Sequence, residues 1–451
     1  NSGQLVSSVA IGDSAGQTNQ GTLAIAIGKN AGATAQGTNS VAMGNLAGNS
    51  GQLVSSVAIG DSAGQTNQGT LSVAIGHDAG KAGQLVSSVA VGDTAGQTTQ
   101  GTLAVAIGKA AGTTSQGANS VAMGNLAGNS GQLVSSVAIG DEAGKTTQGT
   151  LTVAIGKDAG TTSQGANSVA MGNLAGNTGQ LVSSVAIGDS AGQTVQGTLS
   201  VAVGKDAGTT SQGAHSVAMG NLAGNTGQLV SSVAIGDSAG QTVQGTLSVA
   251  IGKDSGATSQ GANSVAIGDS AGKTTQGTLA VAIGKESGTT SQGANSVAMG
   301  NLAGNSGQLV SSVAIGDSAG KTVQGTLAVA IGKSAGITSQ GANAIAMGNL
   351  AGNVNQGVSS VAIGDEAGKT SQGADSIAIG NNAGISQGAN AIAIGAGAGI
   401  TSQVADSICL NTTAGGGTDV VATSGFFVNP VAITTEGGVG KSAMYYNSTT
   451  K

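Results

Sequence analysis

The sequence predicts an all-β fold, a parallel β-roll or β-solenoid with 16-residue coils, and three observations support this prediction. A V-A-I-G motif recurs in steps of sixteen from Val9 to Ile377 and again at Ile392 and Ile408, which makes 26 copies. The chain has 83 glycines, about three in each coil. Aromatic residues make up only 1%, too few for the thick core of an ordinary domain. Such a strict short period is typical of a solenoid, whose units bury their apolar sides against one another.

The first predicted element of each coil is a short strand. With the Val of V-A-I-G as position 1, the alternation extends back to position 15, as in Leu23-Ala24-Ile25-Ala26-Ile27. Alternating apolar residues followed by Gly predict a strand that ends in a turn. We expect the Leu and Ile side chains to fill the coil interior. The Ala side would then lie against a neighbouring chain.

Glycines predict the corners that separate the strands. They recur at positions 4, 8 and 13, as in Gly12, Gly16 and Gly21. Gly allows a positive φ or a close approach of two backbones, so each coil is expected to turn at these points. This density of glycines argues against a helix, because each Gly would cost a helix about 1 kcal/mol relative to Ala.

Position 12 is Gln in coil after coil. Identical amides spaced by about 4.8 Å can form hydrogen bonds along a stack. We therefore predict a structural ladder rather than a catalytic role for these residues. Its first members with full coils are Gln20, Gln36, Gln52, Gln68, Gln84 and Gln100.

Position 5 defines a longer repeat of three coils. It runs Asp13, Lys29, Asn45 and then begins again, so a 48-residue super-repeat keeps like charges off adjacent coils. Six of the seven methionines occupy position 3 of the Asn-type coil, where we expect them to fill gaps in the core. These are Met43, Met123, Met171, Met219, Met299 and Met347.

The composition and motifs predict no enzyme activity, no cofactor and no metal site. His77 and His215 have no partner at ligand spacing, and no nucleophile motif or phosphate loop interrupts the repeats. Cys409, the single cysteine, stands where other coils have Ala and is expected to be a small buried residue. All 14 basic residues are Lys in a chain of net charge -6, which argues against nucleic-acid binding. No apolar run is long enough for membrane insertion of this segment.

The repeats resemble the head repeats of YadA-type trimeric autotransporter adhesins. The similarity is carried by N-S-V-A-[IM]-G motifs such as Asn39–Gly44, Asn119–Gly124 and Asn263–Gly268, and it covers about residues 1–411. It implies a left-handed parallel β-roll that assembles as a homotrimer. The sixteen-residue period is longer than the adhesin repeat, and no heptad stalk or membrane anchor is present in this sequence.

The repeats end at Asn411, which predicts two domains: a β-solenoid at 1–411 and a small C-terminal cap, or the start of a further domain, at 412–451. Within the second, Phe426–Pro430 and Tyr445–Lys451 resemble a segment that follows Gly-rich repeats in fibre-like proteins of large double-stranded DNA viruses. Because the chain begins within a repeat and ends where such proteins continue, we expect both natural termini to be missing. Asn411 and Asn447 lie in N-x-[ST] sequons, so they are candidate glycosylation sites or simple polar turn residues.

These features predict a structural and adhesive fibre, extracellular or on a virion surface. The expected assembly is a homotrimer or another homo-oligomeric fibre, and the expected partner is a host-surface glycan or receptor bound through multivalent contacts. The alternative is an ice-binding solenoid or a self-assembling extracellular filament. The ice-binding alternative rests on the regular Thr at position 10, as in Thr18, Thr34 and Thr66.

Overall fold

The computed structural model describes residues 2–411 and 424–429. It divides into two compact units, Asn1–Leu327 and Ala328–Lys451. Both are all-β, and no helix occurs in the described ranges. Each coil carries a strand at positions 1 to 3, named here the VAI strand. Many coils carry a second strand that ends at position 12, named here the Gln strand.

The first unit contains strands β1 to β36. Its VAI strands are Val9–Ile11, Ile25–Ile27, Val41–Met43, Val57–Ile59, Val73–Ile75, Val89–Val91, Val105–Ile107, Val121–Met123, Val137–Ile139, Val153–Ile155, Val169–Met171, Val185–Ile187, Val201–Val203, Val217–Met219, Val233–Ile235, Val249–Ile251, Val265–Ile267, Val281–Ile283, Val297–Met299 and Val313–Ile315. Its Gln strands are Ser2–Gln4, Thr18–Gln20, Ser50–Gln52, Thr66–Gln68, Ala82–Gln84, Thr99–Gln100, Ser115–Gln116, Thr147–Gln148, Ser163–Gln164, Val195–Gln196, Ser211–Gln212, Val243–Gln244, Ser259–Gln260, Thr275–Gln276, Ser291–Gln292 and Val323–Gln324.

The second unit contains strands β37 to β46. They are Val329–Ile331, Ser339–Gln340, Ile345–Met347, Val361–Ile363, Ser371–Gln372, Ile377–Ile379, Ser386–Gln387, Ile392–Ile394, Ile408–Asn411 and Phe426–Asn429.

Within each unit, every coil stacks on the next in parallel and in register. Val121 pairs with Val137, and Met123 pairs with Ile139. Coils without a second strand still form a parallel bridge between their glutamines. Because each step along the stack adds sixteen residues, equivalent side chains lie directly above one another. The predicted parallel β-solenoid of 16-residue coils is confirmed.

The coil interior is lined by Ala, which reverses the expected assignment of the two sides. Ala122 at position 2 and Ala127 at position 7 are fully buried, whereas Met123 at position 3 is 39% exposed. The prediction that Val and Ile fill the interior was therefore wrong. Walls of two or three residues joined by tight corners leave room inside for Ala, for Ser or Ala at position 16, and for the glutamine side chain.

The corners combine the predicted glycines with residues that the sequence did not single out. Gly128 at position 8 has φ +52°, and a Cβ there would lie 2.7 Å from the Gln132 Oε1 atom. Positions 6 and 15 also adopt a positive φ without Gly, as in Glu142 (φ 55°) and Leu151 (φ 56°). A bulky residue rarely adopts this conformation, so the leucines of position 15 are held in a strained backbone.

The second unit continues past the last sequence repeat by one strand. Phe426–Asn429 pairs in parallel with Ile408–Asn411, eighteen residues earlier. This register places Phe427 opposite Cys409 at position 2. The predicted domain boundary after residue 411 stays a prediction, since residues 412–423 and 430–451 lie outside the described part of the chain.

Candidate interaction surface

Within each unit, the outward side of the VAI strands forms a continuous apolar surface, named here the apolar face. It consists of Val or Ile at position 1 and Ile, Val or Met at position 3. Ile107, for example, is 37% exposed, and Val121 is half-buried. The methionines of position 3 lie on this face, so the prediction that they fill core gaps was wrong. Position 3 points outward because the inward site of the strand belongs to Ala at position 2.

A second set of apolar side chains lies at the corner before the VAI strand. This apolar corner consists of positions 13 to 15 and changes with the type of coil. Within residues 2–327, Asn-type coils carry Leu and Val at positions 13 and 14, as in Leu133 and Val134, and both side chains are nearly half exposed. Asp-type coils of the same range carry Leu at position 15, and Leu151 is 61% exposed. The recurring L-V-S-S and G-T-L sequences mark these apolar corners, but the sequence did not lead us to predict them as exposed apolar sites.

The exposed apolar surface is far larger than a monomer normally leaves uncovered. Within residues 2–327, 38 large apolar side chains are exposed, and 35 of them lie on the apolar face or the apolar corner. The largest apolar patch of a typical soluble monomer is about 300–600 Å². The unit has twenty consecutive coils, and most of them carry at least one such side chain. An exposed apolar surface of this extent indicates that another molecule covers it.

The corner is indented where two Leu–Val coils are separated by a single coil. Leu53 and Leu85 flank Gly69, and together with Val86 they line a groove of about 290 Å³. The groove forms because the coil between the two leucines has Gly at position 13.

The predicted ladder residues are buried inside the coils, where each first binds its own coil. The Nε2 atom of Gln20 donates to the Val9 carbonyl at 2.7 Å, and that of Gln36 donates to the Ile25 carbonyl at 2.6 Å. The same bond is made by Gln52, Gln68, Gln84 and Gln100. These bonds tie the Gln strand to position 1 across the interior.

Bonds from one amide to the next occur in a minority of the described coils. Among the six predicted ladder residues, Gln84 donates to the Gln100 Oε1 atom at 3.1 Å. The Oε1 atoms of Gln20, Gln36, Gln52 and Gln68 have no hydrogen-bond partner among the described residues. The stack is therefore held mainly by the parallel backbone bonds, and the glutamines mainly stabilise single coils.

Of the two candidate glycosylation sites, only Asn411 lies within the described residues. Asn411 is fully buried, and its Nδ2 atom lies 3.5 Å from the Gly397 carbonyl, which leaves no room for a glycan in the folded chain. Asn447 lies outside the described residues. Cys409 is fully buried at position 2, as expected for a substitute for Ala.

Within residues 2–327, the charged residues lie at positions 5, 6 and 9, and in the second unit Asp375 and Asp406 also lie at position 15. At position 5, Asn donates to Asp of the next coil, as from Asn125 to Asp141 at 2.8 Å. No ion pair joins Lys and Asp of adjacent position-5 sites within the described ranges. His77 lies 3.0 Å from Asp93, and its pKa is raised by that hydrogen bond first and by the charge of Asp78 next.

The Thr residues of position 10 bind their own stack rather than leaving their hydroxyls free. Thr18 donates from Oγ1 to the Thr34 carbonyl at 2.8 Å, and Thr34 donates to the Asn49 carbonyl at 3.0 Å. A hydroxyl already engaged with the neighbouring coil is less available to water, which counts against the ice-binding alternative.

The described residues contain no group of three or more His, Cys, Asp or Glu placed to hold a metal ion. Over the same ranges, the structure has no helix of the length and hydropathy needed to cross a membrane. His215, at position 15, lies at an exposed corner with φ 58°.

Comparison with protein families identifies the YadA head domain repeat, in a model that spans two copies. Each match begins at a position-12 glutamine and includes two VAI strands, so each match starts at the same point of the 16-residue coil. The matched residues are 20–47, 148–175, 196–223, 244–271, 276–303 and 356–383. The predicted YadA-type head repeats are therefore present. No curated protein and no solved structure matches the chain. The similarity of the C-terminal segment to viral fibres stays a prediction.

Proposed function

We propose that this chain is a structural and adhesive fibre segment, extracellular or on a virion surface, in which copies of the chain pack side by side as a homotrimer. The observation that carries the proposal is the uncovered apolar face and corner of residues 2–327. We also propose that the chain has no catalytic activity and serves to display repeated contacts.

The size of the apolar surface accounts for stable association. Covering the exposed half of one aliphatic side chain contributes about 1 kcal/mol. Association of two proteins costs about 4–15 kcal/mol in lost freedom and ordering. Burial of half of the 35 side chains on the face and corner would exceed this cost. A single copy in water has no such compensation for their exposure.

Backbone strain supports the same conclusion. Leu151 combines a φ of 56° with 61% exposure, two properties that are unfavourable for Leu in an isolated chain. Related coils place Asn at the same position, as at Asn119 with φ 55°, and Asn tolerates this conformation better. A partner that covers Leu151 would explain why Leu is kept in the Asp-type coils.

A trimer is the form favoured by the surface and the repeats together. The apolar face and the apolar corner are different parts of one coil, and a closed ring needs two different surfaces that fit each other. YadA-type heads, which these repeats resemble, are trimeric adhesins. Multivalent contacts along such an assembly would hold a cell-surface glycan or receptor with an avidity well above that of one coil.

The first test is the mass in solution of the full chain and of a variant with three charges on the apolar face. Ile107→Lys, Ile187→Lys and Ile235→Lys replace position 3 in three separate coils. The control places lysines at position 11 of the same coils, with Ser115→Lys, Val195→Lys and Val243→Lys. We expect light scattering to give three copies for the wild type and the control, and one copy for the face variant.

A monomeric wild type with an unchanged coil structure would rule out the proposed assembly. Adhesion is tested separately with fluorescent protein on cultured host cells. We expect the wild type and the position-11 control to be retained, and the face variant to bind about 10²-fold more weakly because multivalency is lost. Absence of binding by a trimeric wild type would remove the adhesive part of the proposal alone.

A further inference from the structure

All six methionines of the described residues lie at position 3, on the apolar face. Their side chains are between 39% and 42% exposed. The other repeats carry Val and Ile on this face, and these residues have no reactive group, whereas the thioether sulfur of Met reacts with peroxides. The repeats therefore present one kind of oxidisable atom on the face. The six residues are Met43, Met123, Met171, Met219, Met299 and Met347.

Each of these methionines lies between apolar neighbours of the adjacent coils. Met123 pairs in register with Ile107 on one side and with Ile139 on the other. The other five methionines have Val or Ile on both sides in the same way. Val and Ile side chains have no hydrogen-bond donor. A polar atom attached to the Met sulfur would therefore depend on water for its hydrogen bonds, and a molecule that covers the face would remove that water.

The spacing of the methionines means that a long contact along the face always includes one. Between Met43 and Met299, successive methionines follow each other at three or five coils. Any contact that covers five consecutive coils of this range, about 24 Å, therefore includes at least one Met. Association through the apolar face cannot avoid these side chains.

We propose that these methionines are modification sites, at which oxidation by a hydroperoxide controls association of the chain. This proposal rests on the side-by-side packing proposed above and adds the chemistry that regulates it. The thioether sulfur donates an electron pair to the terminal oxygen of the hydroperoxide, so that an S–O bond forms while the O–O bond breaks. The proton of the transferred hydroxyl passes to the departing oxygen. The products are a methionine sulfoxide and an alcohol, or water where the oxidant is hydrogen peroxide.

The sulfoxide changes what the face can bind. Its oxygen is a hydrogen-bond acceptor, and burying an acceptor without a donor is unfavourable. A second copy of the apolar face offers Val, Ile and Met side chains, which supply no donor. Oxidation therefore favours the free chain. By linkage, association favours the reduced thioether, because the cover that removes water also keeps the oxidant away. Oxidised copies stay apart, and associated copies resist oxidation.

Three forms of the full chain test the proposal, and all carry Cys409→Ala so that no thiol reacts. The first keeps every Met. The second, the resistant variant, has at position 3 the Ile that most coils carry there. The third, the displaced variant, adds Val195→Met, Val243→Met and Val323→Met to the resistant variant. These three positions are 51%, 52% and 46% exposed and lie outside the apolar face and the apolar corner. The substitutions of the resistant variant are Met43→Ile, Met123→Ile, Met171→Ile, Met219→Ile, Met299→Ile and Met347→Ile.

The readout is the light-scattering mass before and after treatment with hydrogen peroxide, with mass spectrometry to count the oxygen atoms added. We expect the first form to fall from three copies to one, with an unchanged β-sheet signal in circular dichroism. Reduction by the two methionine sulfoxide reductases, one for each sulfoxide epimer, should restore three copies. The resistant variant should stay at three copies after peroxide. The displaced variant should also stay at three copies, although its new methionines gain oxygen.

A first form that is fully oxidised yet still at three copies would overturn the control by oxidation. Dissociation of the oxidised displaced variant would overturn it as well, since oxidation away from the face would then have the same effect. So would a dissociation that is accompanied by loss of the β-sheet signal. These results would leave the proposed function intact, because the mass before treatment measures it separately. A single-copy mass of the first form before treatment would remove the proposed function and the oxidation proposal together.

Discussion

The buried glutamine of position 12 and the glycine of position 8 form the smallest unit on which a coil depends. Gln132 donates from Nε2 to the Val121 carbonyl at 2.8 Å and to the Ser136 carbonyl at 3.2 Å. Its Oε1 atom lies where a side chain at Gly128 would be. Neither residue can change without disturbing the other, which explains why both recur in nearly every coil.

Gln132→Glu tests the role of this amide. A carboxylate cannot donate to the two carbonyls and would be an unpaired buried charge, so we expect a loss of about 3–5 kcal/mol at neutral pH. Burial raises the pKa of such a carboxyl, so the loss should be smallest below its unfolded pKa and should grow as the pH rises through the folded value. Urea unfolding at pH 4 and pH 8 measures this difference. Gln193→Glu, on the partly exposed position 9, is the control and should show little change.

His77 gives a second pH-dependent prediction at the residue scale. Its pKa is raised above the ordinary value of 6.5, first by the hydrogen bond to Asp93 and then by the charge of Asp78. The stabilisation by protonated His77 should therefore be complete below 6.5 and should disappear as the pH rises through the higher folded value. We expect Asp93→Asn to lower the pKa of His77 in an NMR titration, with His215→Asn used to assign the signal. An equal pKa in both proteins would show that the bond is absent in solution.

At the scale of the element, the VAI strand has a narrow Ala side and a wide outer side. Ala122→Val should overfill the interior and cost about 1–3 kcal/mol, because the opposite wall of the coil cannot move away. Val121→Ile adds one methylene group to the outward side of the same strand and should change stability by less than 1 kcal/mol. Thermal unfolding of the two variants compares them directly. Equal losses would contradict the Ala-lined interior.

The sequence was sufficient for the period, the strands and the buried glutamines, but not for which side of the strand faces inward. Alternation separates Ala26 from Ile25 and Ile27 without saying which side is inside. The usual rule that larger apolar residues are buried gave the wrong answer, because it does not consider the width of the coil. The strained Leu151 was missed for a similar reason, since Gly was taken as the only marker of a positive φ.

At the scale of the whole molecule, this reversal changes the meaning of the hydrophobic composition. The chain is 39% hydrophobic and only 8% charged, yet its interior is largely Ala and Gln. Most of the large apolar side chains are therefore available for contacts between molecules. The repeat therefore supplies a long, uniform apolar surface.

Association through such a surface should depend little on salt. Within residues 2–327, the apolar face and the apolar corner carry no charged residue, and the charges lie at positions 5, 6 and 9, so screening removes no attraction between copies. Between about 0.01 M and 1 M NaCl the Debye length falls from about 30 Å to about 3 Å, which would dissociate an assembly held by ion pairs. We expect the light-scattering mass of the wild type to stay at three copies across this range. The variant with Ile107→Lys, Ile187→Lys and Ile235→Lys should stay dissociated at both ends, because burying a lysine is unfavourable at any ionic strength. A wild-type mass that fell with added salt would show that charged contacts, rather than the apolar face, hold the copies together.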